Sequence, residues 1–344
     1  VKKILLIATG GTIASGYTKK GLAPKFEASK LLEYVEEYRE FCQVEVQQPF
    51  NLDSTNICGK HWLRLADMIE RHYADYDGFV ICHGTDTMAF TAAALSYLIQ
   101  NSRKPIIVTG SQKPIDLPVT DARTNLLDSL RFASDDGAHG VNIVFGGNVI
   151  AGTRAKKERS KSYNAFSSIN YPSVAVIRDG RIVFYIDDKE KAEGEVRFYH
   201  ELNERVLLLK LVPGMDGSIL SRLFDYYDGV IIEAFGVGGF PEYGEVPFYP
   251  EIRRWTDAGK IVLLATQVTH EGSDMEVYQV GRAIKEDFHL MEAYDMTLEA
   301  TVTKAMWAMG LTLDGEQFRR LFYQTVNHDI LLTPKEQDKQ ASCS

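Results

Sequence analysis

The sequence predicts an α/β protein with two domains, each built on a mostly parallel sheet, and three observations support this fold class. The chain has 344 residues, which fits two domains of roughly 150 residues each. Short apolar runs alternate with amphipathic segments of helical length, as βαβ units do. The alternation stops at the charged residues 187–195, which are typical of a connection between domains. We therefore predict a larger N-terminal domain (1–188), a linker (189–205), a smaller C-terminal domain (206–334) and a polar tail (335–344).

The elements of the first domain follow from apolar periodicity. Uninterrupted apolar runs predict buried strands, and apolar residues three and four positions apart predict helices. The first helix, for example, has Leu31, Leu32 and Val35 on one face. The predicted strands cover residues 4–8, 43–48, 78–82, 106–109, 141–145, 148–151, 174–177 and 181–185, and the helices cover 28–39, 59–73, 87–100 and 121–133.

The second domain repeats the alternation of strands and helices. Its predicted strands are the apolar runs at residues 206–209, 229–233 and 260–264. A helix is expected to begin near residue 216, and further helices are predicted at 249–257, 275–284, 297–309 and 315–322.

Composition excludes several classes of function. The net charge is −9, from 38 Lys and Arg against 47 Asp and Glu, which argues against binding to nucleic acid or anionic membranes. No apolar stretch approaches the ~20 residues of a membrane span, and the run at 4–8 is too short for an export signal. Cys42, Cys58, Cys82 and Cys343 lack metal-ligand spacing. We expect free thiols, a cytoplasmic location, and neither a metal nor another cofactor.

Two glycine–threonine motifs point to chemistry. Residues 8–14 (Ala-Thr-Gly-Gly-Thr-Ile-Ala) follow the strand run at 4–7, and residues 83–88 (His-Gly-Thr-Asp-Thr-Met) follow the run at 78–82. Both motifs are therefore expected at the carboxyl ends of strands, where open α/β sheets bind ligands. Two threonines and an aspartate in one crevice favour covalent or acid–base chemistry over packing.

Each motif also has a simpler interpretation. Thr12 has the residue type of a helix cap, and so does the pair Thr85–Asp86. Asp86 is also placed to interact with a helix dipole or with the ammonium group of an amino acid. His83 is interpreted as a buried core residue whose hydrogen bonds are satisfied. Phosphate binding is disfavoured because neither phosphate-loop motif is present.

Two further segments carry polar groups. The first, at residues 152–159 (Gly-Thr-Arg-Ala-Lys-Lys-Glu-Arg), is either a solvated basic turn or the source of a lysine that polarises Thr85 or a water molecule. The second, at residues 51–55 (Asn-Leu-Asp-Ser-Thr), is either an ordinary Asx turn or a holder of an α-carboxylate.

Taken together, these segments resemble the bacterial-type L-asparaginase/glutaminase amidohydrolases. The resemblance runs from residue 3 to about residue 333 and rests on residues 9–14 and 83–88. Residues 109–112 (Thr-Gly-Ser-Gln) and 295–300 (Asp-Met-Thr-Leu-Glu-Ala) are similar to further family segments. The turn at residues 53–55 is similar to the corresponding turn in the cytosolic type I branch of this family.

The resemblance implies an activity and an assembly. The expected reaction converts L-asparagine to L-aspartate and ammonia through an acyl-threonine intermediate, without a cofactor, and a glutaminase side activity is possible. The expected state is a homodimer or a homotetramer. Asparagine and glutamine differ by one methylene group, which is worth only ~1–3 kcal/mol of discrimination, so the preference between them stays open.

The resemblance also assigns roles. Thr12 is expected to be the nucleophile, and Thr85, Asp86 and Lys157 to form a second catalytic group. Lys157 is chosen over Lys156 because it lies five residues after Gly152, the spacing of the family. The residues expected to hold the substrate are Asp53, Ser54, Thr55 and Asp86 for its α-amino and α-carboxylate groups, and Ser111 near its side-chain amide.

One departure concerns a tyrosine that many relatives carry on the loop after the nucleophile. Here that context reads Gly-Leu-Ala-Pro at residues 21–24, without a tyrosine. Tyr17 and Tyr278 are the candidates to assist Thr12, and we prefer Tyr278. The rival functions are the ammonia-generating subunit of a tRNA-dependent amidotransferase and a catalytically silent amino-acid-binding module.

Overall fold

A computed structural model describes residues 1–18, 21–24, 28–187, 194–241, 246–277 and 290–333. The chain divides into two compact units, Val1–His200 and Glu201–Ser344. Each unit contains helices and a sheet with parallel strands, so the predicted α/β class is confirmed. Within the described ranges, no helix is both long and apolar enough to span a membrane.

In its described residues, the first unit is built on an eight-stranded sheet together with helices and three two-stranded sheets. Its strands are β1 (Lys2–Ala8), β2 (Ser15–Thr18), β3 (Gly21–Pro24), β4 (Cys42–Gln47), β5 (Gly78–Cys82), β6 (Ile99–Gln100), β7 (Pro105–Thr109), β8 (Gly140–Phe145), β9 (Asn148–Ala151), β10 (Ala155–Lys157), β11 (Phe166–Ser168), β12 (Ala175–Arg178), β13 (Arg181–Phe184) and β14 (Arg197–Phe198). Its α-helices are α1 (Ala28–Leu31), α2 (Gly59–His72), α3 (Met88–Leu98) and α4 (Ala122–Ala133).

The order of the large sheet is β13-β12-β9-β8-β7-β5-β1-β4. The strands from β8 to β4 are parallel to one another, and β9, β12 and β13 continue the sheet in antiparallel pairings. From β1 the chain moves outward to β4 and then returns to β5 on the other side of β1. The order of the strands therefore reverses at β1, and such a switch point opens a crevice at the carboxyl edge of the sheet.

The apolar runs of the sequence are continuous because the central strands are buried on both faces. Ile4 and Leu6 of β1 join Leu126 and Leu130 of α4 in one buried cluster. The alternate residue Leu5 faces the other side of the sheet and is equally buried. This two-sided burial fixes the strands whose ends carry the polar motifs.

Several predicted elements differ from the structure. The predicted helix 28–39 is instead the short α1 followed by 3₁₀ turns at Leu32–Tyr34 and Glu36–Glu40, separated by Val35 with φ −141° and ψ 43°. Val35 is β-branched and buried, and such a residue is a weak helix former. Of the predicted helix 275–284, Met275–Val277 is a 3₁₀ turn, and the rest lies outside the described residues.

The carboxyl end of the first unit also differs from the prediction. Helix α3 ends at Leu98 because the next two residues form β6, which pairs with β14. β14 lies within the stretch predicted as a linker (189–205), and the boundary between the units follows His200. The sequence did not indicate this pairing because it joins residues about a hundred positions apart.

The second unit has a parallel sheet in the order β15-β16-β17-β18. Its core includes Phe248, Ile252 and Trp255, and the indole Nε1 of Trp255 donates to the Leu220 carbonyl at 3.2 Å. The elements are β15 (Val206–Lys210), α5 (Ser218–Leu223), β16 (Gly229–Ala234), α6 (Phe248–Asp257), β17 (Ile261–Thr266), β18 (Met291–Glu292), α7 (Leu298–Leu311) and α8 (Gly315–Tyr323).

A buried ion pair anchors the segment that follows α8 to α7. The side chains of Lys304 and Asp329 are both 0% exposed, and Lys304 Nζ lies 2.5 Å from Asp329 Oδ2. Lys304 Nζ also donates to the Gln324 carbonyl at 2.7 Å, and Asp329 Oδ1 accepts from the Val326 N–H at 2.9 Å. Burial lowers the pKa of Lys304, while the aspartate raises it.

Replacing Lys304 by Met is expected to lower the free energy of unfolding by ~3–5 kcal/mol, because it leaves a carboxylate buried without its cation. Arg320→Met is the matched control, since Arg320 pairs with Glu316 on the surface, where both side chains are exposed; it is expected to cost less than ~1 kcal/mol. Urea denaturation measures both variants. Equal losses would contradict the structural role assigned to the buried pair.

Candidate active site

Four neighbouring parallel strands end at one edge of the large sheet, and each is followed by polar residues. Ala8 of β1 is level with Cys82 of β5, which is level with Thr109 of β7. The Leu52 N–H donates to the Thr9 carbonyl at 2.8 Å, which brings the segment after β4 to the same edge. The segments that meet there are residues 9–12, 51–55, 83–87 and 110–112. The predicted motifs therefore meet at the carboxyl edge of the sheet beside its switch point.

The turn after β1 presents Thr12 at the start of a 3₁₀ helix, Thr12–Ala14. The capping position belongs to Gly11, with φ 87°, so Thr12 is not a helix cap. The Gly11 carbonyl accepts a hydrogen bond from the Ser15 hydroxyl at 2.8 Å, which fixes the turn. The Thr12 side chain is half-buried at the edge of the sheet.

Glycine is required where this turn meets the segment after β5. A Cβ atom on Gly11 would lie 2.5 Å from the Gly84 nitrogen, and one on Gly84 would lie 2.7 Å from Ser54 Oγ. Real Cβ atoms do not approach other atoms so closely. Because these two positions have no side chain, the backbone of Gly11 lies against the backbone of Gly84, and Gly84 lies against the side chain of Ser54.

We expect Gly11→Ala to destabilise the first unit through both backbone strain and this close contact. Gly259→Ala is the matched control, because Gly259 also has a positive φ (72°), but no other atom lies within 4 Å of the position that a Cβ would take there. The control should lose only the ~1–2 kcal/mol of left-handed backbone strain. Thermal unfolding compares them, and an equal loss in both variants would argue against the close contact.

Thr85, Asp86 and Lys157 form a connected polar cluster. Lys157 Nζ donates to Thr85 Oγ1 at 2.7 Å and to Asp86 Oδ1 at 2.6 Å. Thr85 is buried, the Lys157 side chain is 17% exposed, and the Asp86 side chain is 61% exposed. Helix α3 begins after Thr87, which occupies the capping position, so neither Thr85 nor Asp86 caps it. The cluster places an ammonium group against a buried threonine hydroxyl, where it can polarise that hydroxyl or a water molecule.

Lys157 reaches Thr85 from a hairpin that the sequence did not predict. It lies on β10, which pairs with β11 and places Lys157 opposite Phe166. The start of the hairpin is anchored by Arg154, which is 0% exposed and whose carbonyl accepts from the Ile169 N–H at 2.9 Å. Residues 152–157 are therefore not a solvated basic turn.

Residues 51–55 form the capped turn expected of an Asx motif. Asp53 Oδ1 accepts from the Thr55 N–H at 2.9 Å and from the Thr55 hydroxyl at 2.8 Å. Ser54 is buried, and its carbonyl accepts from the Thr87 hydroxyl at 2.8 Å. Thr87 thus ties this turn to the segment after β5, a role that the sequence did not indicate.

Ser111 lies at the end of β7 with its hydroxyl already engaged. Ser111 Oγ donates to the Lys113 carbonyl at 2.5 Å. The carboxylate of Asp121 holds the loop that follows β7. It accepts hydrogen bonds from the backbone N–H of Gln112 at 2.8 Å and of Lys113 at 3.1 Å. Burial raises the pKa of Asp121, and these hydrogen bonds partly oppose the shift.

Gln112 is a contact of Thr85 that was not among the predicted site residues. Its Oε1 lies 3.4 Å from Thr85 Oγ1, and its Nε2 donates to the carbonyl groups of Ser162 at 3.1 Å and Arg159 at 3.4 Å. The only sequence signal for Gln112 is its place in the family-like segment 109–112.

The roles of the two candidate tyrosines stay predictions. Tyr17 lies on β2, opposite Leu22 of β3 in backbone register. Tyr278 lies outside the described residues. In the described part of the chain, no group of three or more His, Cys, Asp or Glu residues could hold a metal ion.

Comparison with known proteins identifies the family. The protein has an α/β fold, and the cluster of Thr85, Lys157 and Asp86 lies beside the switch point of its large sheet. This is the place where enzymes with such sheets bind their ligands. Residues 3–190 match the model of the asparaginase N-terminal domain, and residues 205–322 match that of the glutaminase/asparaginase C-terminal domain. The chain therefore belongs to the asparaginase family of amidohydrolases.

Its relatives include proteins with two different names. The chain is 37% identical to an L-asparaginase of Thermococcus kodakarensis, over 95% of this chain and 99% of that protein. The solved structure of that thermostable enzyme superposes with a TM-score of 0.89 at 35% identity, covering 96% of this chain and all of the other. The chain is 31% identical to L-asparaginase 1 of Escherichia coli, over 97% and 99% of the two chains. It is also 34% identical to a glutamyl-tRNA(Gln) amidotransferase subunit of Pyrococcus furiosus, over 92% and 74%.

Proposed function

We propose that this protein hydrolyses the side-chain amide of L-asparagine to L-aspartate and ammonia, with Thr12 as the nucleophile. The observation that carries the proposal is the contact of Lys157 with both Thr85 and Asp86 at the crevice edge that also holds the Gly11–Thr12 turn. The similarity to two L-asparaginases over nearly the whole chain supports the choice of substrate.

In the first step, the Thr12 oxygen attacks the side-chain amide carbon of asparagine. The carbon–nitrogen bond breaks, ammonia leaves with the proton of the Thr12 hydroxyl, and an ester links Thr12 to the aspartyl group. Negative charge develops on the amide oxygen during the attack. Backbone N–H groups of the glycine-rich turns are suited to stabilise it, and each such donor is worth ~10²–10³ in rate.

In the second step, water attacks the ester carbon and the bond to Thr12 breaks. Lys157 donates to Thr85 Oγ1, which leaves the Thr85 hydroxyl proton directed away from the ammonium group. The pair is thereby arranged to orient and polarise the attacking water. The water proton returns to the Thr12 oxygen, and aspartate is released.

The substrate would be held by its α-ammonium and α-carboxylate groups. The exposed carboxylates of Asp53 and Asp86 suit the ammonium group, and the hydroxyl groups of Ser54 and Thr55 suit the carboxylate. Ser111 would lie near the side-chain amide, where its oxygen accepts a hydrogen bond while its own proton stays bonded to the Lys113 carbonyl. Tyr278 remains our preferred assistant to Thr12, ahead of Tyr17.

The proposal includes a cytoplasmic setting and an assembly. Cys42, Cys58 and Cys82 are free thiols. Free thiols are typical of proteins in a reducing compartment such as the cytoplasm. The proposed assembly is a homodimer or a homotetramer, and a glutaminase side activity completes the proposal.

The experiment that tests the proposal is ammonia release from L-asparagine and from L-glutamine, with aspartate and glutamate quantified beside it. We expect rapid release from asparagine in a one-to-one ratio with aspartate. Saturable asparagine binding without ammonia would favour a silent binding module. Release from glutamine alone would favour an amidotransferase-type protein such as the Pyrococcus relative.

A further inference from the structure

A chain of hydrogen bonds runs from α2 through α3 to the segment that carries Thr85. The indole Nε1 of Trp62 lies 2.9 Å from Thr91 Oγ1, which lies 2.9 Å from His83 Nε2. His83 Nδ1 lies 2.6 Å from the Gly84 carbonyl oxygen. Thr91 and His83 are both 0% exposed, and Trp62 is 6% exposed. The reaction outlined above uses none of these three side chains.

The two ends of this chain of hydrogen bonds fix its direction. An indole N–H only donates, so Thr91 Oγ1 accepts from Trp62. A carbonyl oxygen only accepts, so His83 Nδ1 carries the proton that bonds Gly84. Burial lowers the pKa of His83 to about 4, so the imidazole is neutral at ordinary pH and its Nε2 carries no proton. The Thr91 hydroxyl therefore donates to Nε2, and His83 is held in a single tautomer.

The carbonyl that His83 holds belongs to the peptide between Gly84 and Thr85. That peptide unit is planar, so fixing the Gly84 carbonyl also fixes the direction of the Thr85 N–H. Gly84 lies against Gly11 on one side and Ser54 on the other, at distances that leave no room for a Cβ atom. A rotation of this peptide would displace the Thr85 hydroxyl from Lys157 and disturb the turn that carries Thr12.

We propose that His83 is a positioning residue for the amide hydrolysis. Its Nδ1–H holds the Gly84–Thr85 peptide so that the Thr85 hydroxyl faces Lys157 beside the Thr12 turn, and Thr91, oriented by Trp62, keeps the proton on Nδ1. This inference rests on the proposed function.

The test compares two substitutions that each keep one half of the imidazole's bonds. His83→Asn places an amide N–H near the position of Nδ1 and preserves the bond to Gly84. His83→Gln reaches the position of Nε2 and preserves the bond to Thr91 but not the one to Gly84. We expect His83→Asn to retain most of kcat, and His83→Gln to lose about 10²-fold in kcat with little change in KM, as a small displacement of a reacting group does.

A second pair of variants checks the role of the tautomer and guards against misfolding of the His83 variants. Thr91→Val removes the hydroxyl that fixes the proton on Nδ1, and Thr91→Ser keeps it. We expect Thr91→Val to lower kcat and Thr91→Ser to restore it. When Thr91→Val is combined with His83→Asn, kcat should fall no further than in His83→Asn alone. An amide side chain has no tautomers, so Thr91 has nothing to fix in that variant.

The outcomes separate this inference from the proposed function. If the wild-type protein releases ammonia but His83→Asn and His83→Gln lose kcat equally, His83 does not act through the Gly84 carbonyl. If Thr91→Val and His83→Gln have a lower melting temperature but an unchanged kcat, the chain of hydrogen bonds has a purely structural role. If the wild-type protein releases no ammonia from either amino acid, the proposed function fails, and the positioning role fails with it.

Discussion

Thr12→Ala is expected to abolish ammonia release from asparagine, with a loss of roughly 10⁴–10⁶-fold in kcat, because removing the nucleophile of a covalent mechanism leaves only the contribution of the surrounding binding groups. Thr12→Ser, which keeps an oxygen at the same position, should retain a measurable fraction of the wild-type rate. Steady-state ammonia release with both variants measures the difference.

The loss in Thr12→Ala should occur without loss of fold. Thr12 is half-buried, and Gly11 rather than Thr12 occupies the capping position of the 3₁₀ helix. The free energy of unfolding should therefore fall only by about 0.5–1 kcal/mol, the lower end of the range for point mutations. Near-wild-type turnover in Thr12→Ala would show that another group forms the covalent bond.

Lys157→Met is expected to lower kcat by about 10²–10⁴-fold, the range that a positioned acid–base group contributes. The substitution removes the ammonium group from Thr85 Oγ1 and takes away the cation that pairs with Asp86. Lys156→Met is the matched control, because successive residues of a strand point to opposite faces. Lys156 therefore points away from Thr85, and its replacement should leave kcat nearly unchanged.

The comparison of the two lysines can fail in two ways. Equal losses in Lys156→Met and Lys157→Met would mean that the charge of the hairpin, rather than the contact with Thr85, supports catalysis. Full activity in Lys157→Met would remove the lysine from the mechanism. Steady-state kinetics on both variants, with melting temperatures as a check on folding, distinguishes these results.

The sequence predicted the framework of the site because that framework is local. The buried strands β1 and β5 each contain a continuous apolar run, and a glycine lies two residues after the end of each strand with a threonine close behind it. The rule that ligands bind at the carboxyl edge of a parallel sheet then brings Thr12 and Thr85 together. Neither inference needs contacts between distant parts of the chain.

The parts that hydrophobic periodicity did not predict depend on contacts between distant residues. Lys157 meets Thr85 across 72 positions, through a hairpin whose strands have three residues each. Gln112 meets the same threonine across 27 positions. Periodicity cannot indicate such pairings. Residues 152–159 offered a lysine for Thr85 only as one of two alternatives, the family resemblance selected Lys157, and nothing selected Gln112 as a contact of Thr85.

The prediction of one helix at residues 28–39 was wrong for a different reason. Its apolar spacing fits a helix as well as it fits two 3₁₀ turns that bury the same side chains, and burial of Val35 in a non-helical conformation decided the outcome. The interpretation of His83 as a core residue agrees with its burial. Its bonds to Thr91 and Gly84 were not visible in the sequence.

The central claim is that asparagine hydrolysis passes through an ester on Thr12, and a partition experiment with hydroxylamine tests it most directly. The enzyme is given either asparagine or the β-methyl ester of aspartate, with hydroxylamine competing with water, and the ratio of aspartyl hydroxamate to aspartate is measured. One acyl-enzyme formed from both substrates predicts the same ratio, whichever group has left. A ratio that differs between the amide and the ester would mean that water attacks each substrate directly, and it would contradict the covalent role of Thr12.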